Sequence, residues 1–217
     1  ALTSSDDEIV MSDGGTVTIT SSGSIIVGPD DAVLIQLPGS TSNLTIINNG
    51  TLQIGEYDGV GSETTEHNTI SATGAATNVT ITNSGVIAAS TRHAIILKAA
   101  EGDITITNNA GAIMTSRSDS SNGCVNLDTA GSTTAGDIII TNAGTIIAQG
   151  PAHGDAADVD PALGYNVISH HTLRLTNITN GGTITVDNSG TIEAGASNAI
   201  NLNGTTDPIT LTNSGTI

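Results

Sequence analysis

One short unit recurs along the whole chain: an alternating apolar run, then Asn-Ser-Gly or a close variant, then Thr-Ile. It reads VTITNSGVI at Val79–Ile87, IIITNAGTI at Ile138–Ile146, ITVDNSGTI at Ile184–Ile192 and ITLTNSGTI at Ile209–Ile217. Looser copies are VTITSSGSI at Val17–Ile25, LTIINNGTL at Leu44–Leu52, and ITITNNAGAI at Ile104–Ile113, which is one residue longer. A strand-turn-strand unit recurring in this way cannot bury its apolar face alone and has to stack on its neighbours as a solenoid.

The turn glycines Gly23, Gly50, Gly85, Gly111, Gly144, Gly190 and Gly215 are separated by 27, 35, 26, 33, 46 and 25 residues. The shortest steps define the rung, and the longer ones are the same rung carrying insertions. Three strands are expected in each rung. The first alternates with period two and points Val17/Ile19, Leu44/Ile46, Val79/Ile81, Ile104/Ile106, Ile138/Ile140, Ile184/Val186 and Ile209/Leu211 to one side. The second follows the glycine and is led inward by Ile25, Leu52, Ile87, Ile113, Ile146, Ile192 or Ile217. The third is LIQL (Leu34–Leu37), TISA (Thr69–Ala72), AIIL (Ala94–Leu97), CVNL (Cys124–Leu127), NVIS (Asn166–Ser169) or AINL (Ala199–Leu202). Helices are disfavoured, because Gly and Asn punctuate too often and β-branched residues dominate between them. The expected fold is all-β: a parallel β-helix of about seven rungs, three strands per rung, with like residues stacked about 4.8 Å apart.

At the turn, Asn48, Asn83, Asn108, Asn142, Asn188 and Asn213 occupy one phase, with Ser21 in the first copy. Asparagine tolerates the left-handed backbone region, and its amide can bond the equivalent amide one rung away. These six are therefore read as a structural ladder, and the glycine after each as the source of a positive φ. The sequons at Asn43, Asn78, Asn177 and Asn203 are read as incidental to an Asn/Thr-rich chain.

Composition narrows the rest. Tyr57 and Tyr165 are the only aromatic residues, so the core has to come from Ile, Val, Leu and Ala. The formal net charge is −17, with Arg92, Lys98, Arg117 and Arg174 as the only basic residues. Such a chain repels nucleic acid and anionic headgroups, which excludes both as direct partners. Cys124 is alone, so there is no disulfide framework; it falls at the position of Ala94 and Ala199 and reads as a small packed residue. No apolar run approaches the roughly 18 residues that span a bilayer, so this segment does not insert directly into a membrane.

The ITNSGTI…AIxL pattern over residues 16–217 resembles the passenger domains of bacterial autotransporters and related large surface adhesins. That resemblance implies a right-handed parallel β-helix at the cell surface or outside the cell, acting in adhesion without catalysis. It implies partners such as a host or neighbouring cell surface, or a polysaccharide. The chain lacks that family's C-terminal membrane barrel and stops at Ile217 inside a repeat, so it is read as part of a longer polypeptide. Residues 1–15 are expected to form an N-terminal cap, or a donor segment through Ile9–Met11 that links subunits. The second possibility leaves a self-assembling extracellular filament as the alternative function.

On a solenoid, function sits on inserted loops or along a face. Insertions are expected at residues 55–68 and 149–165. The first supplies Glu56, Tyr57 and Asp58 as binding candidates, and the second supplies Tyr165; both tyrosines suit stacking on a sugar face. Asp155, Asp158 and Asp160 put three carboxylates within six residues and are the candidate calcium ligands, although the glycine and terminal Glu of an EF-hand are missing. No zinc site is expected from His170-His171, whose side chains alternate on a strand. An enzyme is not expected: Asp30-Asp31 and His170-His171 only loosely resemble the paired aspartates and histidine of polygalacturonase-like hydrolases. Four rungs nevertheless separate them by about 19 Å, against about 5–9.5 Å between glycosidase carboxylates. The four basic residues are read as lying on different rungs, too dispersed to form the cationic cluster of a lyase.

Overall fold

Period-two alternation of β-branched residues produces strands, and each strand pairs in parallel with the one three places further along. The computed structural model describes residues 9–11, 14–27, 33–37, 43–54, 68–72, 78–89, 92–98, 101–117, 123–128, 136–149, 171–179, 181–195 and 198–217. The first strands are β1 (Ile9–Val10), β2 (Gly15–Ile19), β3 (Ser24–Val27), β4 (Val33–Leu37), β5 (Leu44–Asn48), β6 (Thr51–Ile54) and β7 (Asn68–Ala72). Next come β8 (Val79–Asn83), β9 (Val86–Ala89), β10 (His93–Lys98), β11 (Ile104–Asn108), β12 (Ile113–Arg117) and β13 (Gly123–Asp128). The last are β14 (Ile138–Asn142), β15 (Thr145–Gln149), β16 (His171–Thr176), β17 (Ile184–Asn188), β18 (Thr191–Ala194), β19 (Ile200–Asn201) and β20 (Ile209–Asn213).

Sheet A runs β1-β4-β7-β10-β13-β16-β19, sheet B runs β2-β5-β8-β11-β14-β17-β20, and sheet C runs β3-β6-β9-β12-β15-β18. Strands stacked in sequence order in three parallel sheets make a parallel β-helix of about seven rungs. Within the region read as a cap, Ile9–Val10 already pairs in parallel with Ile35–Gln36 of sheet A.

The interior is a set of aliphatic columns. Ile46, Ile81, Ile106 and Ile140 stack in register and are fully buried, with Val186 next above them. Each such side chain contributes roughly 1.5–3 kcal/mol on burial. On the last strand of sheet B, Ile209 and Leu211 hold the inward phase but are 40% and 51% exposed.

Asn48, Asn83, Asn108, Asn142, Asn188 and Asn213 form the expected ladder at the corner between sheets B and C. Each amide nitrogen donates to the carbonyl of the next asparagine, across 2.8, 2.9, 2.8, 2.7 and 2.8 Å in turn. The same nitrogens donate to the backbone carbonyls of Val86, Ile113, Thr145, Thr191 and Thr216, so the buried amides are well paired.

The backbone there corrects the sequence reading. None of the ladder asparagines has a positive φ; among the described residues only Asn177 does outside glycine. Gly50, Gly85, Gly144, Gly190 and Gly215 have no positive φ either. They are glycines because a Cβ would overlap the carbonyl oxygen stacked one rung earlier, that of Gly23, Gly50, Ala112, Gly144 and Gly190 respectively. Gly111 is the exception, with φ 80° in a turn closed by Ala112 N–H donating to Asn109 O.

That turn holds two extra residues, not one, so Ala112 takes the glycine phase. Ile113 then pairs with Val86 and Thr145 and points outward, and Met114 fills the interior beside Ile87 and Ile146. The first copy has the same long turn: Ile19, not Ser21, stacks on Asn48. Because the shift is two residues, Val17 and Ile19 keep the inward face expected of them. In sheet A, the strand before β19 is His171–Thr176, whose Leu173 and Leu175 stack on Val125 and Leu127. The run Asn166–Ser169, read as that strand, lies outside the described residues.

The outer faces differ. Sheet B presents two rows: Thr16, Thr45, Thr80, Thr105, Ile139, Thr185 and Thr210; and Thr18, Ile47, Thr82, Thr107, Thr141, Asp187 and Thr212. These residues are half-buried or exposed. The middle strands of sheet A are buried on both faces, with Ser71, Ile96 and Asn126 on the outer side nearly inaccessible, while Gln36, Arg174 and Asn201 at the same phase are half-buried.

Candidate functional site

The binding candidates Glu56, Tyr57, Asp58 and Tyr165 lie outside the described residues, as do the calcium candidates Asp155, Asp158 and Asp160 and the residues Asp30, Asp31 and His170. Their attachment points are described. The first insertion leaves after Ile54 at the end of β6 and rejoins at Asn68 in β7. The second leaves after Gln149 at the end of β15 and rejoins at His171 in β16. Both therefore pass from sheet C to sheet A at one corner of the rung. β7 and β16 are three pairings apart in sheet A, which is about 14 Å at 4.7–4.9 Å per strand.

That corner is stitched from inside. The Thr69 hydroxyl donates to Ala88 O and the Thr172 hydroxyl to Glu193 O, each across 2.6 Å. Ala94, Cys124 and Ala199 share the phase of these threonines, as the sequence indicated for the small residues. Cys124 is fully buried, and desolvation pushes its thiol up to about 12.

A polar network covers the outer side of sheet A. His93 Nδ1 lies 2.6 Å from Gly123 O; a carbonyl only accepts, so Nδ1 carries the proton. His93 Nε2 is then the acceptor for Asn126 Nδ2 at 3.3 Å, and Asn126 Oδ1 accepts from Arg174 Nη1 at 3.4 Å. Nearby, Asn201 Nδ2 and His171 Nε2 are 2.8 Å apart. Burial lowers His93 to about 4; the Gly123 carbonyl opposes that fall, and the charges of Arg92, Lys98 and Arg174 add to it. The network thus holds a neutral imidazole in one tautomer. One detail of the sequence reading is corrected: Arg92 and Lys98 flank the same strand, β10, so the basic residues do not all lie on different rungs. Sequence reasoning missed the network because its members are 30 to 48 residues apart. The available signal was the polar residue at the outward position of CVNL.

A second ladder runs along the entry edge of sheet B. Asn78 Nδ2 donates to Asn43 Oδ1 at 3.0 Å, and the Asp103 N–H donates to Asn78 Oδ1 at 2.9 Å. The Asp137 N–H donates to Asp103 Oδ1 at 3.0 Å, and the Thr183 N–H and hydroxyl both donate to Asp137 Oδ1. These Thr183 donors hold the Asp137 carboxyl below its ordinary value. A shallow, polar depression lies between this ladder and the threonine row at Thr45, Thr80 and Thr105. Among the described residues, no three His, Cys, Asp or Glu side chains are placed to hold a metal ion. Among the same residues, no helix is long and apolar enough to cross a membrane.

A scan of family models, a search of curated proteins and a search of solved structures each returned no match to the chain.

Proposed function

We propose that this chain is a non-enzymatic, extracellular adhesion segment, in which a stiff β-helix presents two loops that bind a host or neighbouring cell surface through its glycans. The observation that carries this reading is the shared corner. Two insertions with both tyrosines of the chain leave and rejoin the stack at the same phase, about 14 Å apart along its length. A ligand reaching both would meet a preset spacing, which lowers the ordering cost of binding. The resemblance to autotransporter passenger domains supports the same reading, and calcium at Asp155, Asp158 and Asp160 belongs to it as an ordering ion for the second loop.

The test uses a glycan array probed with the whole chain and with chains lacking Glu56–His67 or Gly150–Asp160. Each deletion is expected to keep the β-sheet circular dichroism and to lower array binding. Binding at the intact level in both deletions would overturn the loop-based reading.

A further inference from the structure

We propose that the outer face of sheet B is an ice-binding surface, taking crystalline water as its ligand. This inference is independent of the loops. The face is a two-row lattice in which the backbone sets the spacing: about 4.8 Å between strands along each row and about 6.8 Å between rows, two residues apart on a strand. Eleven of its fourteen positions are threonine. Both periods lie close to oxygen-row separations in ice. Threonine is stiff at χ1, so its hydroxyl and methyl hold position before any ligand arrives. The hydroxyls can join a water lattice, and the methyls between them order the adjacent water.

Charge selects the occupant. A charged side chain orients its own hydration shell and disrupts a neutral lattice. This chain carries a formal charge of −17, yet the fourteen positions include a single charge, Asp187. The face therefore fits an uncharged, periodic partner. Among uncharged periodic surfaces, crystalline polysaccharide is usually gripped by aromatic stacking, and neither row contains an aromatic ring.

The test measures how the purified chain partitions into a slowly growing ice body, together with thermal hysteresis and crystal shape in a nanolitre osmometer. The intact chain should enter the ice and facet the crystals. Thr82→Lys with Thr107→Lys should abolish both effects while the β-sheet signal is retained, and Glu193→Lys on sheet C should change neither. Repairing the lattice with Ile139→Thr and Asp187→Thr should raise the hysteresis above that of the intact chain, an outcome that misfolding cannot mimic. Exclusion of the intact chain from ice would overturn the proposal, as would full activity in the double-lysine variant or no gain in the repaired one. Retention on microcrystalline cellulose together with exclusion from ice would overturn it in favour of a polysaccharide.

Discussion

Asn142 donates to Asn188 across 2.7 Å, although 46 residues separate them and the longer insertion lies between. The ladder passes the insertion without a change of register, because strands β14 and β17 still pair residue for residue from Ile138↔Ile184 to Asn142↔Asn188. Asn142→Ala should therefore cost more than the loss of one hydrogen bond. It removes the acceptor of Asn108 and the donor to Asn188 and Thr191, leaving buried groups unpaired at a cost of about 3 kcal/mol. Asn213→Ala, at the exposed end, should cost about 1 kcal/mol or less. Denaturant midpoints of the two variants check the difference.

The two kinds of turn glycine should respond differently to a methyl group. In Gly85→Ala the new Cβ overlaps Gly50 O, so adjacent rungs have to separate. In Gly111→Ala it meets open space, and the cost is the strain of a positive φ, about 1–2 kcal/mol. Melting temperatures should fall much further for Gly85→Ala; equal losses would contradict the close-approach account.

Acid should loosen sheet A first. His93 titrates at about 4 when folded and 6.5 when unfolded, so between those values the unfolded chain binds more protons and stability falls as pH falls. The full effect is about 3 kcal/mol, present above pH 6.5 and gone below about 4. The charged groups facing His93 are Arg92, Lys98 and Arg174, and protonation adds a fourth positive charge while removing the acceptor of Asn126. His93→Asn should flatten the stability slope across this window, as measured by urea unfolding at several pH values.

Cys124 should be inert until the stack opens. With its thiol pushed up to about 12 and no exposed surface, it should not react with a disulfide reagent at pH 8 in the native protein. It should react at once in denaturant; rapid labelling of the native chain would contradict the buried position.

Much of the fold was legible because a solenoid writes its register into the sequence. Inward pairs such as Ile81 with Val79, the ladder asparagines, and Cys124 at the phase of Ala94 all follow from repetition. The errors came where an anchor residue was ambiguous. Glycine served as the phase marker, so the four-step turns after Ile19 and Asn108 displaced Ser21 and Ile113 from their expected places. The strand His171–Thr176 was hidden because Asn166–Ser169 offered a competing β-branched run, and Arg174 interrupts the apolar pattern. The network of His93, Asn126 and Arg174 depends on three strands meeting side by side, which no local pattern encodes. The residues proposed for ligand contact sit in the insertions, where repetition, the source of every confirmed reading, ends.

The central claim is one stack of parallel strands whose register continues across both insertions. Spin labels at Thr18 in β2 and Thr212 in β20 measure it directly, because six pairings of sheet B separate these strands, about 29 Å. Pulsed dipolar spectroscopy should give a narrow distribution near that distance in the intact chain. The same distribution should appear when residues 149–170 are replaced by Ser-Thr-Arg, the sequence of the three residues 90–92 that join β9 to β10, because Ala89 and Ala148 share one register position. A broad distribution in the intact chain, or a shifted one after the replacement, would contradict the account.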